Sequence, residues 1–68
     1  MPSVASTNIS NVEWDKDTKD LTVQFRNGAI YAYSSVPKEV YEGLLHAGSA
    51  GQYLNQAVKG QYEYRRVA

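Results

Sequence analysis

The sequence predicts an α+β domain: a small antiparallel sheet in the order β-β-β-α-α-β, with two short helices packed on one face. Three observations carry this. Asn27-Gly28 stands between two runs of alternating apolar residues, and both turn residues tolerate the positive φ that matches strand twist in a tight hairpin. After Pro37 the apolar spacing changes from every second residue to every third or fourth, which is the change from strand to helix. Beyond Gly60 the alternation returns.

In chain order, residues 1 to about 7 are small and polar and are expected to form a frayed start, leaving 8–68 as one domain. Ile9 to Trp14 reads as the first strand. Asp15-Lys16-Asp17-Thr18-Lys19 is a loop, because its Asp side chains can bond their own backbone in turns. Leu21, Val23 and Phe25 alternate with Thr22, Gln24 and Arg26, giving the second strand one apolar and one polar face. Ala29 to Ser34 is the third strand.

Pro37 suits the first position of a helix, where its missing N–H would have no partner. That helix places Val40, Tyr41, Leu44 and Leu45 on one stripe and is expected to stop at Gly48. Ser49 followed by Gln52 has the form of a capping box, so a second helix starts at once, with Tyr53, Leu54, Ala57 and Val58 as its apolar stripe. Gly60 is expected to end it. Gln61 to Val67 then forms a fourth strand, with Tyr62 and Tyr64 on one face and Glu63 and Arg65 on the other.

The register of the central hairpin decides the role of its tyrosines. With a two-residue turn at Asn27-Gly28, Phe25 faces Ile30, and Tyr31 and Tyr33 join Gln24 and Thr22 on the outer face. With a three-residue loop Arg26-Asn27-Gly28, Val23 faces Tyr31, Leu21 faces Tyr33, and both rings line the core. A strand that offered only Ile30 and Ala32 would cover the helices poorly. The three-residue loop is therefore favoured, and Tyr31 and Tyr33 are read as structural.

Composition narrows the function classes. A 68-residue chain buries only about 60% of the surface exposed by its unfolded form, leaving little room for a deep catalytic cavity. Seven Lys plus Arg balance seven Asp plus Glu, so no global field draws in nucleic acid or anionic lipid, and polyanion binding would need local clustering. The absence of cysteine removes disulfides and thiolate zinc sites and fits a reducing, cytoplasmic setting. The first residues lack the charged start and apolar centre of a signal peptide. No run approaches the roughly 18 apolar residues of a membrane span.

A search for chemistry finds little. His46 is the one histidine and reads as a helix-surface residue. Ser34, Ser35 and Ser49 stand in no nucleophile motif. Asp15, Asp17 and Asp20 resemble part of a calcium loop but lack its sixth-position glycine and twelfth-position glutamate. The expectation is a protein with no catalytic residues, no metal and no cofactor.

What remains is surface. Lys59, Arg65 and Arg66 lie close in sequence to Tyr62 and Tyr64, and Arg26 joins them if the fourth strand pairs near the hairpin. Basic residues interleaved with aromatics are how proteins hold single-stranded nucleic acid, with cations on phosphates and rings on bases. The same residues also suit a solvated strand edge, where cations discourage aggregation. Tyr53 is a further candidate for stacking. Asn55 is a poor helix former inside the second helix, so it either bonds a neighbouring loop or is presented to a ligand; the structural bond is favoured.

Gly28-x-x-Tyr31-x-Tyr33-x-x-Val36-Pro37-x-x-Val40-Tyr41, then Leu44, Ala47, Ser49-x-Gly51-x-Tyr53-x-Asn55, and finally Tyr62-x-Tyr64 before Arg66-Val67, together resemble the KTSC domain family. The resemblance runs over about residues 7 to 67. The family is named for its place at the C-terminus of some lysyl-tRNA synthetases, and it also occurs as free-standing small proteins of bacteria and their phages. The resemblance implies a binding module for RNA or tRNA. Members often carry more arginine and lysine around the second helix, where this chain has Gln52, Gln56 and Ala57 and keeps Lys59.

Two readings of function stand side by side. One is an RNA-binding or tRNA-binding module using Arg26, Lys59, Arg65 and Arg66 for phosphates and Tyr53, Tyr62 and Tyr64 for stacking. The other is a protein-interaction module, or a homodimer formed through the last strand, which the neutral net charge suits.

Overall fold

The structure, a computed structural model, describes residues 8–68; the expected frayed start at residues 1–7 lies outside the described residues. Four strands and two helices follow in the order β1 (Ile9–Trp14), β2 (Leu21–Phe25), β3 (Ile30–Tyr33), α1 (Lys38–His46), α2 (Ala50–Ala57) and β4 (Tyr64–Arg66). The strands form one antiparallel sheet in chain order, so β1 and β4 are its edges. This is the α+β arrangement that the alternation and helical spacing predict.

The hairpin takes the three-residue loop. Val23 pairs with Tyr31 and Leu21 with Tyr33. Gly28 N–H donates to Phe25 O (3.0 Å), and Phe25 N–H donates to Ala29 O (2.8 Å). Gly28 has φ +94, the left-handed conformation such a bulge requires and glycine adopts without strain. The Asn27 side chain accepts from Ala29 N–H at 3.0 Å, which fixes the turn further.

The register puts Val12, Trp14, Leu21, Val23, Tyr31 and Tyr33 on one face of the sheet, because residues paired across antiparallel strands share a side. Ile9 is buried as fully as Val12, although three residues separate them and plain alternation would set them on opposite faces. A bulge between Ile9 and Asn11 supplies the missing residue and turns Ile9 inward. Leu44 of α1 and Ala50, Leu54 and Val58 from the second helical segment close over this face, with Val36 from the connection before α1. Burying each of the leucine and valine side chains contributes about 1.5–3 kcal/mol.

Several boundaries differ from the sequence expectation. Pro37 is the residue before α1, with φ −65 and ψ 151; its carbonyl accepts from Val40 N–H at 3.1 Å, as an N-cap carbonyl does. Helix α1 ends at His46 with Ala47 extended, so Gly48 follows the stop rather than making it. Helix α2 ends at Ala57, and Gly60 (φ +80) turns the chain in the segment beyond it. That turn takes up Gln61 and Tyr62, shortening β4 to three residues. Strand β3 likewise loses Ala29 and Ser34 at its ends. Ser49 does cap α2, its Oγ accepting from Gln52 N–H at 3.4 Å.

Two pins tie the first helix to the sheet. Trp14 Nε1 donates to Val36 O at 2.8 Å, and its ring stacks on Tyr41 with centroids 6.1 Å apart. Asp15 Oδ1 accepts from Asp17 N–H (2.8 Å) and Thr18 N–H (3.3 Å), so this aspartate organises the β1–β2 loop. Among the described residues, no three of His, Cys, Asp and Glu gather as a metal site needs, and no helix is long and apolar enough to cross a membrane.

Candidate nucleic-acid interface

The helix side of the sheet carries an aromatic cluster. Phe25 and Tyr31 meet edge to face at 5.7 Å between centroids. Tyr64 on β4 meets Tyr31 at 5.8 Å and Tyr33 at 5.6 Å. The pairing of Tyr33 with Tyr64 sets all four rings on the helix side of the sheet. Tyr33 is buried, Tyr31 and Phe25 are half-buried, and Tyr64 is 63% exposed. Burial raises the Tyr33 phenol above its ordinary pKa, and the neighbouring Tyr64 and Tyr31 push it the same way.

Between these rings and the segment after α2 lies an open cleft of about 500 Å³, lined by Phe25, Tyr31, Tyr33, Lys59, Gly60 and Tyr64. Its size falls within the roughly 300–1,000 Å³ of small-ligand sites. Lys59 reaches across it, with Nζ 5.8 Å from the Phe25 ring centroid, within cation–π range. Around Phe25 the cleft continues in two directions. One groove runs past Lys59 to Arg26, Asn27 and Asn8. A recess beside α2 is bordered by Ser49, Gln52 and Asn55. Phe25 and Lys59 border all three spaces and make them one surface.

The residues singled out from the sequence divide. Lys59 and Tyr64 meet in the cleft, and Arg26 joins Lys59 along the adjoining groove. Arg65 pairs with Ala32 on the opposite face of the sheet, where its guanidinium bonds Asp20 Oδ2 at 3.1 Å. Arg66 pairs with Tyr31 on the cleft side, and its Nε donates to Ala68 O at 3.1 Å. The period of two separates Arg65 from its neighbours, so the C-terminal cations do not form one patch. Tyr53 is half-buried, its ring seated on Gly43 of α1. Tyr62 packs against the core from the turn before β4.

Asn55 is exposed at the rim of the recess, and its side chain makes no hydrogen bond among the described residues; the loop bond expected from the sequence is not formed.

Phe25 and Gln52 are the site residues that sequence reasoning missed. Alternation assigned Phe25 to the core, and only its place at the last residue of β2 leaves the ring half-uncovered. Gln52 was read as a cap residue.

The KTSC domain family model matches residues 5–62. An uncharacterised protein of Stutzerimonas stutzeri is 38% identical over 66 residues, covering 96% of this chain and 93% of that protein. A lysine–tRNA ligase of Nostoc sp. is 38% identical over 60 residues, which cover 88% of this chain and 11% of the ligase, so this chain spans about a tenth of that relative's length. In the crystal structure of a KTSC domain protein from Yersinia pestis the same fold recurs with a TM-score of 0.90 at 29% identity, covering 98% of this chain and 94% of that one. With the fold, the hairpin tyrosines and the matched stretch in agreement, the chain belongs to the KTSC domain family.

Proposed function

We propose that this domain is a non-catalytic module that binds single-stranded RNA, including unpaired segments of tRNA. The observation that carries the reading is the cleft in which half-buried Tyr31 and exposed Tyr64 stand beside Lys59, with Arg26 along the same surface. Exposed ring faces hold bases in any sequence, and nearby cations hold the phosphates between them. The lysine–tRNA ligases that contain a similar stretch support an RNA ligand. Arg65 is given no part in binding, because it faces the other side of the sheet. Titration of labelled single-stranded RNA and of tRNA, followed by fluorescence anisotropy at about 50 mM salt, tests this: micromolar binding that weakens with salt is expected, and a flat signal overturns it.

A second reading rests on a different observation. The β4 edge carries the exposed large apolar residues Tyr64 and Val67. An open edge of this kind accepts a strand from a protein partner or a second copy of the chain. Light scattering that returns a dimer, with RNA binding absent, would favour it.

A further inference from the structure

We infer that the bound strand is read at one position as adenine, held in the recess beside α2 by Gln52 and Asn55. The inference rests on the RNA reading and adds a base preference to it. The recess has a volume of about 250 Å³. Half-buried Phe25 supplies apolar surface beside the buried Ile9 and Leu54, Ser49, Gln52, Asn55 and Lys59 supply polar groups, and no carboxylate of the described residues lines it.

Gln52 and Asn55 are three residues apart on α2, so their side chains leave the helix on the same side. Both are exposed, and neither side-chain amide bonds a described residue. Each amide sets a donor beside an acceptor. Adenine matches two such groups at once: its N6 carries two hydrogens, one beside N7 and one beside N1, so each edge offers a donor next to an acceptor. Uracil has a single ring N–H to give and satisfies one amide. Cytosine presents a donor next to an acceptor on one edge and guanine sets O6 beside N1–H on one edge, so each satisfies one amide there, while guanine N7 and O6 are both acceptors and leave an amide oxygen unpaired on the other edge.

Phe25 and Lys59 border both the recess and the aromatic cleft. Two successive nucleotides therefore fit with one base stacked near Tyr64, the adenine beside α2, and the linking phosphate at Lys59. The stacked position tolerates any base and the recess does not.

Fluorescence anisotropy with labelled five-nucleotide RNAs of adenine, uracil or cytosine tests this on the whole chain and on the double variant Gln52→Ala, Asn55→Ala. Both positions are exposed on a helix that alanine favours, so the variant folds, as circular dichroism will show. The adenine oligomer is expected to bind about tenfold more tightly than the uracil oligomer, with that preference lost in the double variant, which binds the two alike. Equal binding of the three oligomers by the unaltered chain, or an adenine preference that survives in the double variant, overturns the base assignment and leaves RNA binding standing. No binding to any oligomer removes both.

Discussion

The phenol of Tyr53 on α2 occupies the place that a Cβ on Gly43 of α1 would need. The two helices meet at this point, and glycine is required there by packing, since Gly43 is not among the residues with positive φ.

Gly43→Ala therefore destabilises the domain even though alanine is the better helix former by about 1 kcal/mol. Overpacking of this kind costs about 1–3 kcal/mol. The net loss lowers the thermal midpoint by several degrees, at about 4–8 °C per kcal/mol for a domain this small. With Tyr53→Ala alongside, the same substitution should become neutral or stabilising. A rise in Tm for Gly43→Ala alone would contradict the contact.

Trp14→Phe keeps a ring against Tyr41 but removes the Nε1 donor to Val36 O. Leaving that carbonyl unpartnered costs about 1–3 kcal/mol. Urea unfolding followed by circular dichroism should show a lower midpoint with an unchanged slope.

RNA affinity should fall about fivefold or more for Tyr64→Ala, which removes an exposed stacking ring. Lys59→Glu should reduce it further by reversing charge in the cleft. Arg65→Ala is the control: its ion pair with Asp20 lies on the opposite face and is exposed, so affinity holds and stability changes by less than about 1 kcal/mol. Equal losses for Arg65→Ala and Lys59→Glu would show that the cleft is not the interface.

Salt dependence should be shallow. Lys59 and Arg26 meet about two phosphates, and single strands lose roughly 0.7 in log–log slope per contact, so a slope near −1.4 is expected. Anisotropy titrations at several salt concentrations measure it, and a slope steeper than about −4 would require a larger basic surface than this one.

Alkaline pH should weaken the fold through Tyr33. Its folded pKa is raised above the ordinary value of 10.0, first by burial and then by Tyr64 and Tyr31. The folded state thus holds the phenolic proton more tightly than the unfolded chain. This contribution is intact below about pH 10 and is lost as pH rises through the higher folded value. Tyr33→Phe should flatten the loss of stability above pH 10, as read by denaturant unfolding across that range.

The element order was legible because each segment of this chain has one apolar period. Leu21, Val23 and Phe25 repeat every second residue, Val40, Tyr41, Leu44 and Leu45 at helical spacing. The hairpin register was favoured but left open, because Asn27-Gly28 also suits a two-residue turn, and the pairing of Val23 with Tyr31 in the folded chain decides it. The candidate site was less so. Lys59, Arg65 and Arg66 are neighbours in sequence, yet strand alternation sends Arg65 to the far face. Phe25 alternates with the core residues Leu21 and Val23, yet at the last residue of β2 its ring is only half-buried.

The amino-acid order alone determined the β-β-β-α-α-β succession and the Ser49 cap, since these follow from local periods and backbone preferences. Only the folded chain decided that Ile9 turns inward through a bulge, that Tyr53 seats on Gly43, and that Phe25, Tyr31, Tyr64 and Lys59 share one cleft. Those outcomes depend on which surfaces meet across distant stretches of chain, and no local preference encodes that meeting.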